Sequence, residues 1–107
     1  MILVSLTVST DGIITAVSSI GHETGENGIL CSAVSSILRT YAVCLDRNKN
    51  VRVSAKAPKK GEFYCRIKKY GESDAGWIRG ISDSLLTGLK LAEQDYPGGL
   101  KIVTEQL

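Results

Sequence analysis

The chain has 107 residues, of which 43% are apolar, 22% charged and 6% aromatic, and its formal net charge is +2. A chain of this length buries roughly two-thirds of its unfolded surface, enough for one two-layer core. We therefore expect a single domain over residues 1–107. No apolar run approaches the ~20 residues of a membrane span, and the N-terminus lacks the pattern of a signal peptide, so we expect a cytoplasmic protein without membrane contact.

The first half of the chain changes from strand patterns to a helix pattern. Ile2 to Val8 alternates apolar and polar residues, and the Asp-Gly pair that follows predicts a hairpin returning through Ile13 to Ser18. Residues 21–28 contain three glycines and no apolar anchor, so we expect a mobile loop, with Asn27 or Gly28 capping the next helix. The apolar residues of that helix recur every three or four positions: Leu30, Ala33, Val34, Ile37, Leu38, Tyr41 and Leu45.

The second half repeats a hairpin and a helix and ends in a strand. Val51 to Ala57 alternates as a third strand, and a fourth returns through Phe63, Cys65 and Ile67 after a Pro-Lys-Lys-Gly turn. A second helix is predicted from a cap at Ser73 or Asp74 to about Asp95, with these positions facing inward: Ile78, Ile81, Leu85, Leu89 and Ala92. A short strand over residues 100–104 completes the order ββαββαβ. This order predicts an α+β fold, a mainly antiparallel sheet with two helices packed on one face.

The charge is distributed unevenly. Residues 46–70 contain nine lysines and arginines against two acidic residues, a local charge of +7, so the other residues together carry −5. Two interpretations of this basic hairpin, residues 47–69, stay open. Its lysines can keep a solvated sheet edge from pairing with other strands, or the hairpin can contact RNA or another acidic surface.

The chain has three cysteines and one histidine. An odd number of cysteines without a secretion signal argues against a disulfide scaffold and leaves core thiols, metal ligands or one reactive thiol. Cys31 and Cys44 are thirteen residues apart on one predicted helix, or about 20 Å along its axis, too far to share a metal ion or a disulfide. No Cys-x-x-Cys or His-x-x-x-His spacing is present, so we predict no metal. Cys44 and Cys65 fall in apolar patterns, and we expect both in the core.

Cys31 differs because it lies in the first turn of its helix, about 80° from the centre of the apolar stripe. We expect it to be partly exposed, where the helix dipole and unpaired N–H groups favour a thiolate and can hold an oxyanion. His22 lies where the second predicted strand enters the glycine loop, nine residues before Cys31. The two ends of this loop can meet, so the imidazole can reach the sulfur and act as base and then acid. The alternative is an ordinary surface histidine and an ordinary cysteine.

A longer segment around these two residues resembles a known family. Gly21-His22, a loop containing Gly25-Glu26, and then Ile-Leu-Cys-Ser-Ala-Val-Ser over residues 29–35 are similar to the pattern of the bacterial ribosomal-processing cysteine protease family, Prp. That pattern runs Gly-His, a flexible loop, and Asp-Ile-Val-Cys-Ala-Ala-Val-Ser. The resemblance extends more loosely over the whole chain, including the opening hairpin and the order of elements.

The resemblance implies a homodimeric thiol endopeptidase that removes an N-terminal extension from a protein of the large ribosomal subunit, without metal or cofactor. In this chain it implies Cys31 as the nucleophile and His22 as the general base. Ser35 matches the family serine and lies one helical turn after the cysteine. The remaining supporting or substrate-binding positions in the matching segment are Gly21, Gly25, Gly28 and Ser32.

The chain departs from the family pattern at two places. The aspartate that precedes the family cysteine by three residues is Gly28 here, and the loop is about three residues shorter. Glu23 and Glu26, in the same loop, are candidates for the carboxylate that orients the imidazole. The alternative function is a non-catalytic ribosome- or RNA-associated module that uses the basic hairpin.

Overall fold

The computed structural model of the chain describes residues 1–22 and 28–107. Its elements, in chain order, are β1 (Ile2–Val8), β2 (Ile14–Ile20), α1 (Gly28–Arg47), β3 (Arg52–Lys56), β4 (Glu62–Lys69), α2 (Ala75–Asp95) and β5 (Leu100–Gln106). A 3₁₀ turn, Glu72–Asp74, leads directly into α2. The fold is α+β with the order ββαββαβ, which confirms the predicted fold class.

The strands form one mixed sheet in the order β3-β4-β2-β1-β5. The two predicted hairpins are present, since β1 pairs with β2 and β3 with β4, both antiparallel. β2 and β4 also pair antiparallel, which joins the two hairpins. β5 returns after α2 and runs parallel to β1. The sheet is therefore mainly antiparallel, as predicted, with one parallel pair at its β5 edge.

The core lies between one face of this sheet and the two helices. Alternation along β1 turns Ile2, Val4 and Leu6 inward, and all three are buried. The register places Val17 of β2 beside Leu6 and Cys65 of β4 beside Val17, so the buried residues of three strands share a face. The opposite face carries mainly polar and charged side chains, with Leu3, Ile20 and Val103 exposed among them, and is not covered by a helix in the described part of the chain.

Both helices are fixed to the start of β2. The Tyr41 hydroxyl of α1 donates a hydrogen bond to the carbonyl of Ile14 at 2.6 Å. The backbone N–H of Ile14 donates in turn to Ser82 Oγ of α2 at 2.9 Å. Ser82 is the polar residue in an otherwise apolar buried stripe, and this bond satisfies its oxygen. The helical pattern predicted the rest of that stripe, with Ile81 only half-buried.

The helix ends differ slightly from expectation. Gly28 is the first residue of α1 and not its cap, and Asn27 lies outside the described residues. α2 begins at Ala75, directly after the predicted cap Asp74, but the Asp74 side chain makes no capping hydrogen bond. Its Oδ1 instead accepts a hydrogen bond from the Asn48 side chain at 3.1 Å. The carboxylate therefore joins α2 to the turn after α1.

α1 is also more apolar than expected from the sequence. By length and composition alone, its 20 residues are long and apolar enough to cross a membrane. The expectation that no segment reaches that length is wrong for this helix. In the structure α1 packs against α2 and the sheet, and Leu30, Leu38 and Leu45 are fully buried there. α1 therefore packs one face against the core and exposes the other.

Candidate active site

A cavity of about 760 Å³ lies where the end of β2, the first turns of α1 and the β3–β4 turn meet. It gathers every predicted site residue in the described part of the chain. These are Gly21, His22, Gly28, Cys31, Ser32 and Ser35. Gly25, Glu23 and Glu26 lie outside the described residues. The two residues predicted to react, His22 and Cys31, thus line one cavity although they come from different elements.

Cys31 is the fourth residue of α1, within the first turn of the helix. Its side chain is half-buried, packs in part against the core and lines the cavity, in agreement with the predicted partial exposure. Backbone N–H groups in a first turn have no acceptor within their own helix, and the helix dipole adds positive potential there. Cys31 therefore lies beside donors suited to an anion. Ser32 and Ser35 follow it, both exposed.

The start of α1 is held in place by the neighbouring Leu30. This side chain is fully buried and rests against Gly99, where a Cβ would come within 2.6 Å of the leucine Cδ2. Gly99 also accepts a hydrogen bond from the N–H of Ile2 at 2.8 Å, just before β5 begins. The position of Cys31 thus depends on a leucine that fits into a gap beside the β1–β5 pair.

His22 is positioned by the backbone around Gly21. Gly21 has a φ of +101°, in the region that favours glycine, and a Cβ there would overlap the carbonyl oxygen of Met1. Its N–H donates to the carbonyl of Gly61 in the β3–β4 turn at 2.9 Å. The end of β2 is therefore fixed between the start of β1 and the β3–β4 turn. His22, the next residue, is exposed.

Gly61 lies against the imidazole of His22. The sequence alone does not single out this glycine as a site residue. It has a φ of +82°, and a Cβ at this position would lie 3.2 Å from His22 Nδ1 and 3.1 Å from the carbonyl oxygen of Gly21. The ring edge that carries Nδ1 thus lies directly over a glycine. Gly61 follows His22 by 39 residues, and the sequence marks it only as the end of a turn. No local pattern connects the two.

The rest of the cavity combines an apolar wall with charged groups. Val34, Leu38 and the half-buried Phe63 provide apolar surface, while Arg39 and Lys60 provide exposed cations. Such a surface can accept an extended peptide, whose apolar side chains pack against the wall while its polar backbone stays near the rim.

Glu62 lines the same cavity from the start of β4. Its Oε1 accepts a hydrogen bond from the Tyr64 hydroxyl at 2.8 Å. This bond raises the pKa of Tyr64 above its ordinary value, because ionising the hydroxyl would remove the donated hydrogen and leave two negative charges together. The Glu62 carboxylate is thus held at the side of the cavity by its neighbour on the strand.

The other two cysteines do not line this cavity. Cys65 is buried in the core, as predicted, and burial raises the pKa of its thiol to about 11. Cys44 was expected in the core but is half-buried in a groove of about 310 Å³ between α1 and α2, beside Ile37 and Gly88. Among residues 1–22 and 28–107, no three His, Cys, Asp or Glu side chains lie close enough to hold a metal ion.

The fold is similar to that of solved proteases. The ribosomal processing protease Prp from Staphylococcus aureus, in complex with a covalently linked product peptide, matches with a TM-score of 0.80 and 24% identity over 98% of this chain and 100% of that one. The same protease with a substrate peptide matches with a TM-score of 0.80 and 20% identity, over 98% and 100% of the two chains.

A third structure, SMU.848 from Streptococcus mutans, matches with a TM-score of 0.80 and 21% identity, over 100% of this chain and 99% of that one. No family model matches the sequence, and neither does any curated protein. At this level of identity the likeness establishes the fold alone. The chain therefore has the fold of a ribosomal processing protease over its full length.

Proposed function

We propose that this protein is a cysteine endopeptidase in which Cys31 is the nucleophile and His22 the general base. The observation that supports this most directly is that the chain's one histidine and its helix-start cysteine line the same cavity. Two structures with the same fold hold peptides, one of them covalently linked. His22 or Cys31 taken alone would not support a protease, since isolated histidines and cysteines are common on protein surfaces.

The proposed reaction follows the chemistry of thiol proteases. Cys31 Sγ attacks the carbonyl carbon of the scissile bond while its proton passes to the imidazole of His22. The oxyanion that forms accepts hydrogen bonds from backbone N–H groups at the start of α1. The tetrahedral intermediate then collapses, the C–N bond breaks, and His22 gives the proton to the leaving amine. Water attacks the thioester in the same way, which releases the new carboxylate and restores the thiol.

The proposed substrate is the N-terminal extension of a protein of the large ribosomal subunit, as the sequence resemblance implies. The cavity suits an extended segment, because its apolar wall and charged rim run along the β3–β4 turn and α1. A flexible terminal extension can adopt such a conformation without unfolding the rest of its protein. We further propose that the enzyme acts in the cytoplasm as a homodimer and needs no cofactor.

The direct test is cleavage of the host's extended ribosomal protein, followed by mass spectrometry. We expect the unmodified protein to release the extension, Cys31→Ala to release none, and His22→Ala to be slower by roughly 10²–10⁴-fold, the usual contribution of general acid–base catalysis. Cys44→Ala is the matched control, a half-buried cysteine on the same helix that lies outside the cavity. We expect it to retain activity.

The outcomes separate the enzyme from its alternative. No cleavage by the unmodified protein, or equal cleavage by the Cys31→Ala variant, would contradict the proposal and favour the non-catalytic module. Alkylation gives an independent measurement. We expect the label on Cys31 to depend on His22, while Cys65 stays unlabelled until the protein unfolds, because it is buried and its pKa is raised to about 11.

A further inference from the structure

The sheet face opposite the helices carries a second, larger cavity. This shallow hollow of about 900 Å³ extends over β1, β2, β3 and β4 and reaches one residue of β5. We call it the open-face cavity. It is separate from the candidate active site, because Cys31, His22 and the rest of that lining do not contribute to it. Nothing in the proposed protease reaction uses this surface.

Because side chains alternate between the two faces of a strand, three cations of the basic hairpin point to the open face and line its cavity. These are Lys56, Arg66 and Lys68, all exposed. Lys56 lies opposite Tyr64 and Arg66 opposite Ser54, so the cations occupy adjacent strands on one face. None of the three makes an ion pair with a carboxylate in the described part of the chain. Their charge is therefore available to an external ligand.

The negative charge in the cavity is at the other side of the sheet. Glu105 is the one acidic residue of the cavity lining, and it comes from β5. β3 and β5 are the opposite edges of the sheet, so the carboxylate is separated from the cations by β2 and β1. On the β3–β4 side the Glu62 carboxylate accepts a hydrogen bond from the Tyr64 hydroxyl, so three cations face one carboxylate there and the net charge is positive.

Hydroxyl groups form the floor between the two edges. They belong to Ser5, Thr7, Ser18, Ser54 and Tyr64. Serine and threonine hydroxyls donate and accept hydrogen bonds, so they can bind both phosphate oxygens and ribose 2′-hydroxyls. The half-buried Tyr64 ring lies next to the cations and offers an aromatic surface for a base.

We propose that the open-face cavity binds single-stranded RNA. The three cations attract the phosphate backbone, the serine and threonine hydroxyls favour ribose over deoxyribose, and Tyr64 stacks on a base. This proposal does not depend on the proposed protease activity, because the two cavities are distinct. A protease with an RNA-binding face would be brought close to RNA-associated proteins that carry its cleavage site.

A second copy of the chain fits this cavity less well. A twofold contact that stacks the β3–β4 sides of two copies on each other would place cations against cations, which is repulsive. The same sheet face has an exposed apolar cluster, Leu3, Ile20 and Val103, but these residues do not line the cavity. The oligomeric state is therefore one measurement of the test.

The test measures binding of a fluorescent oligouridylate of about 12 nucleotides by anisotropy over a range of salt concentrations. We compare the unmodified protein with the Arg66→Gln/Lys68→Gln variant. Each lost phosphate contact lowers the log–log salt slope by about 0.7, so we expect a reduction of about 1.4 and binding roughly tenfold weaker at low salt. Arg47→Gln/Lys90→Gln removes the same charge from exposed helix positions and should keep the slope.

Several results would overturn the proposal. These are absence of salt-dependent RNA binding, equal weakening by both double variants, tighter binding of polyglutamate than of RNA, or a change of oligomeric state in the Arg66/Lys68 variant. Weaker binding of the oligodeoxyuridylate than of the oligouridylate would support the assigned role of the hydroxyl floor. If the double variant does not fold, Lys56→Gln replaces it, with an expected slope change of about 0.7.

Discussion

His22 and Cys31 reach the same cavity by opposite structural means. Cys31 is carried by a 20-residue helix whose start is fixed by a buried side chain, Leu30. His22 follows the end of β2, which is held by close backbone contacts. Those contacts are possible because Gly21 and Gly61 have no side chain. The cysteine is positioned by apolar packing, whereas the histidine is positioned by close approach of three backbone segments.

This difference determines how each residue responds to mutation. Apolar packing can be weakened by making a side chain smaller, so the cysteine side should fail through loss of stability. Backbone contacts fail when a side chain is added, which moves the histidine without emptying the core. The cysteine side and the histidine side can therefore be perturbed separately.

The largest effect is expected from Leu30→Ala. This change leaves a void beside Gly99 in the core, and buried Leu→Ala substitutions cost roughly 3 kcal/mol. We expect a corresponding fall in the urea midpoint of unfolding. The control is Ile29→Ala, which changes the residue just before Leu30. The Ile29 side chain is 66% exposed, so its loss should change the free energy of unfolding by less than about 0.5 kcal/mol. Similar losses in both variants would mean that Leu30 does not hold the start of α1.

Gly21→Ala should cause the second-largest loss of stability. The added Cβ overlaps the Met1 carbonyl and the φ of +101° is unfavourable for alanine, so we expect a cost of about 2 kcal/mol. Gly98→Ala is the matched control, with a φ of +84° and no atom within 4 Å of the added Cβ. It should cost only about 1 kcal/mol. Urea unfolding of the two variants measures the difference, and equal midpoints would show that the Met1 contact is unimportant.

Gly61→Ala should affect the site more than stability. Its φ of +82° is close to that of Gly98, so the conformational cost should be similar, about 1 kcal/mol in each variant. The added Cβ would lie 3.1 Å from the carbonyl oxygen of Gly21 and 3.2 Å from His22 Nδ1, so the Gly21–His22 backbone and the imidazole must shift by a few tenths of an ångström. We expect cleavage and Cys31 alkylation to slow by roughly tenfold in Gly61→Ala and to stay unchanged in Gly98→Ala. Equal rates would contradict the role given to Gly61.

The smallest effect is expected from Gly28→Asp at the start of α1, and it is a gain in stability. Gly28 is the first residue of α1, and a Cβ there meets no atom within 4 Å. Removing a helical glycine and adding a negative charge to the first turn should together stabilise the protein by about 1 kcal/mol. Gly28→Asn separates the contribution of the charge. A lower unfolding midpoint for both variants would show that the position does not tolerate side chains.

The sequence predicts the elements well because their signals are local. Alternation in β1 and the spacing of apolar residues in α1 depend on neighbours only, and both agree with the structure. The order of strands is a different matter. Nothing near Leu100 indicates that β5 pairs with β1 in parallel, because that pairing is decided by packing against α2 and the sheet.

The same distinction applies to the candidate site. Cys31 and His22 stand out in one short segment, and so do Gly21 and Ser35 beside them. The contact between Gly61 and the imidazole is invisible in the sequence, since it joins residues on separate hairpins. Cys44 was misplaced for a related reason: the helical stripe predicts which side of α1 faces inward but not where α2 leaves a groove.

The fit of Leu30 against Gly99 also sets an order of events during synthesis of the chain. Gly99 follows Leu30 by 69 residues, so at about 5–20 residues per second a ribosome reaches it roughly 3 to 14 seconds later. Until then β1 lacks its parallel partner, and the gap that receives Leu30 does not exist. Cys31 is thus synthesised early, but it reaches its final position only after β5, which completes the sheet, has been translated.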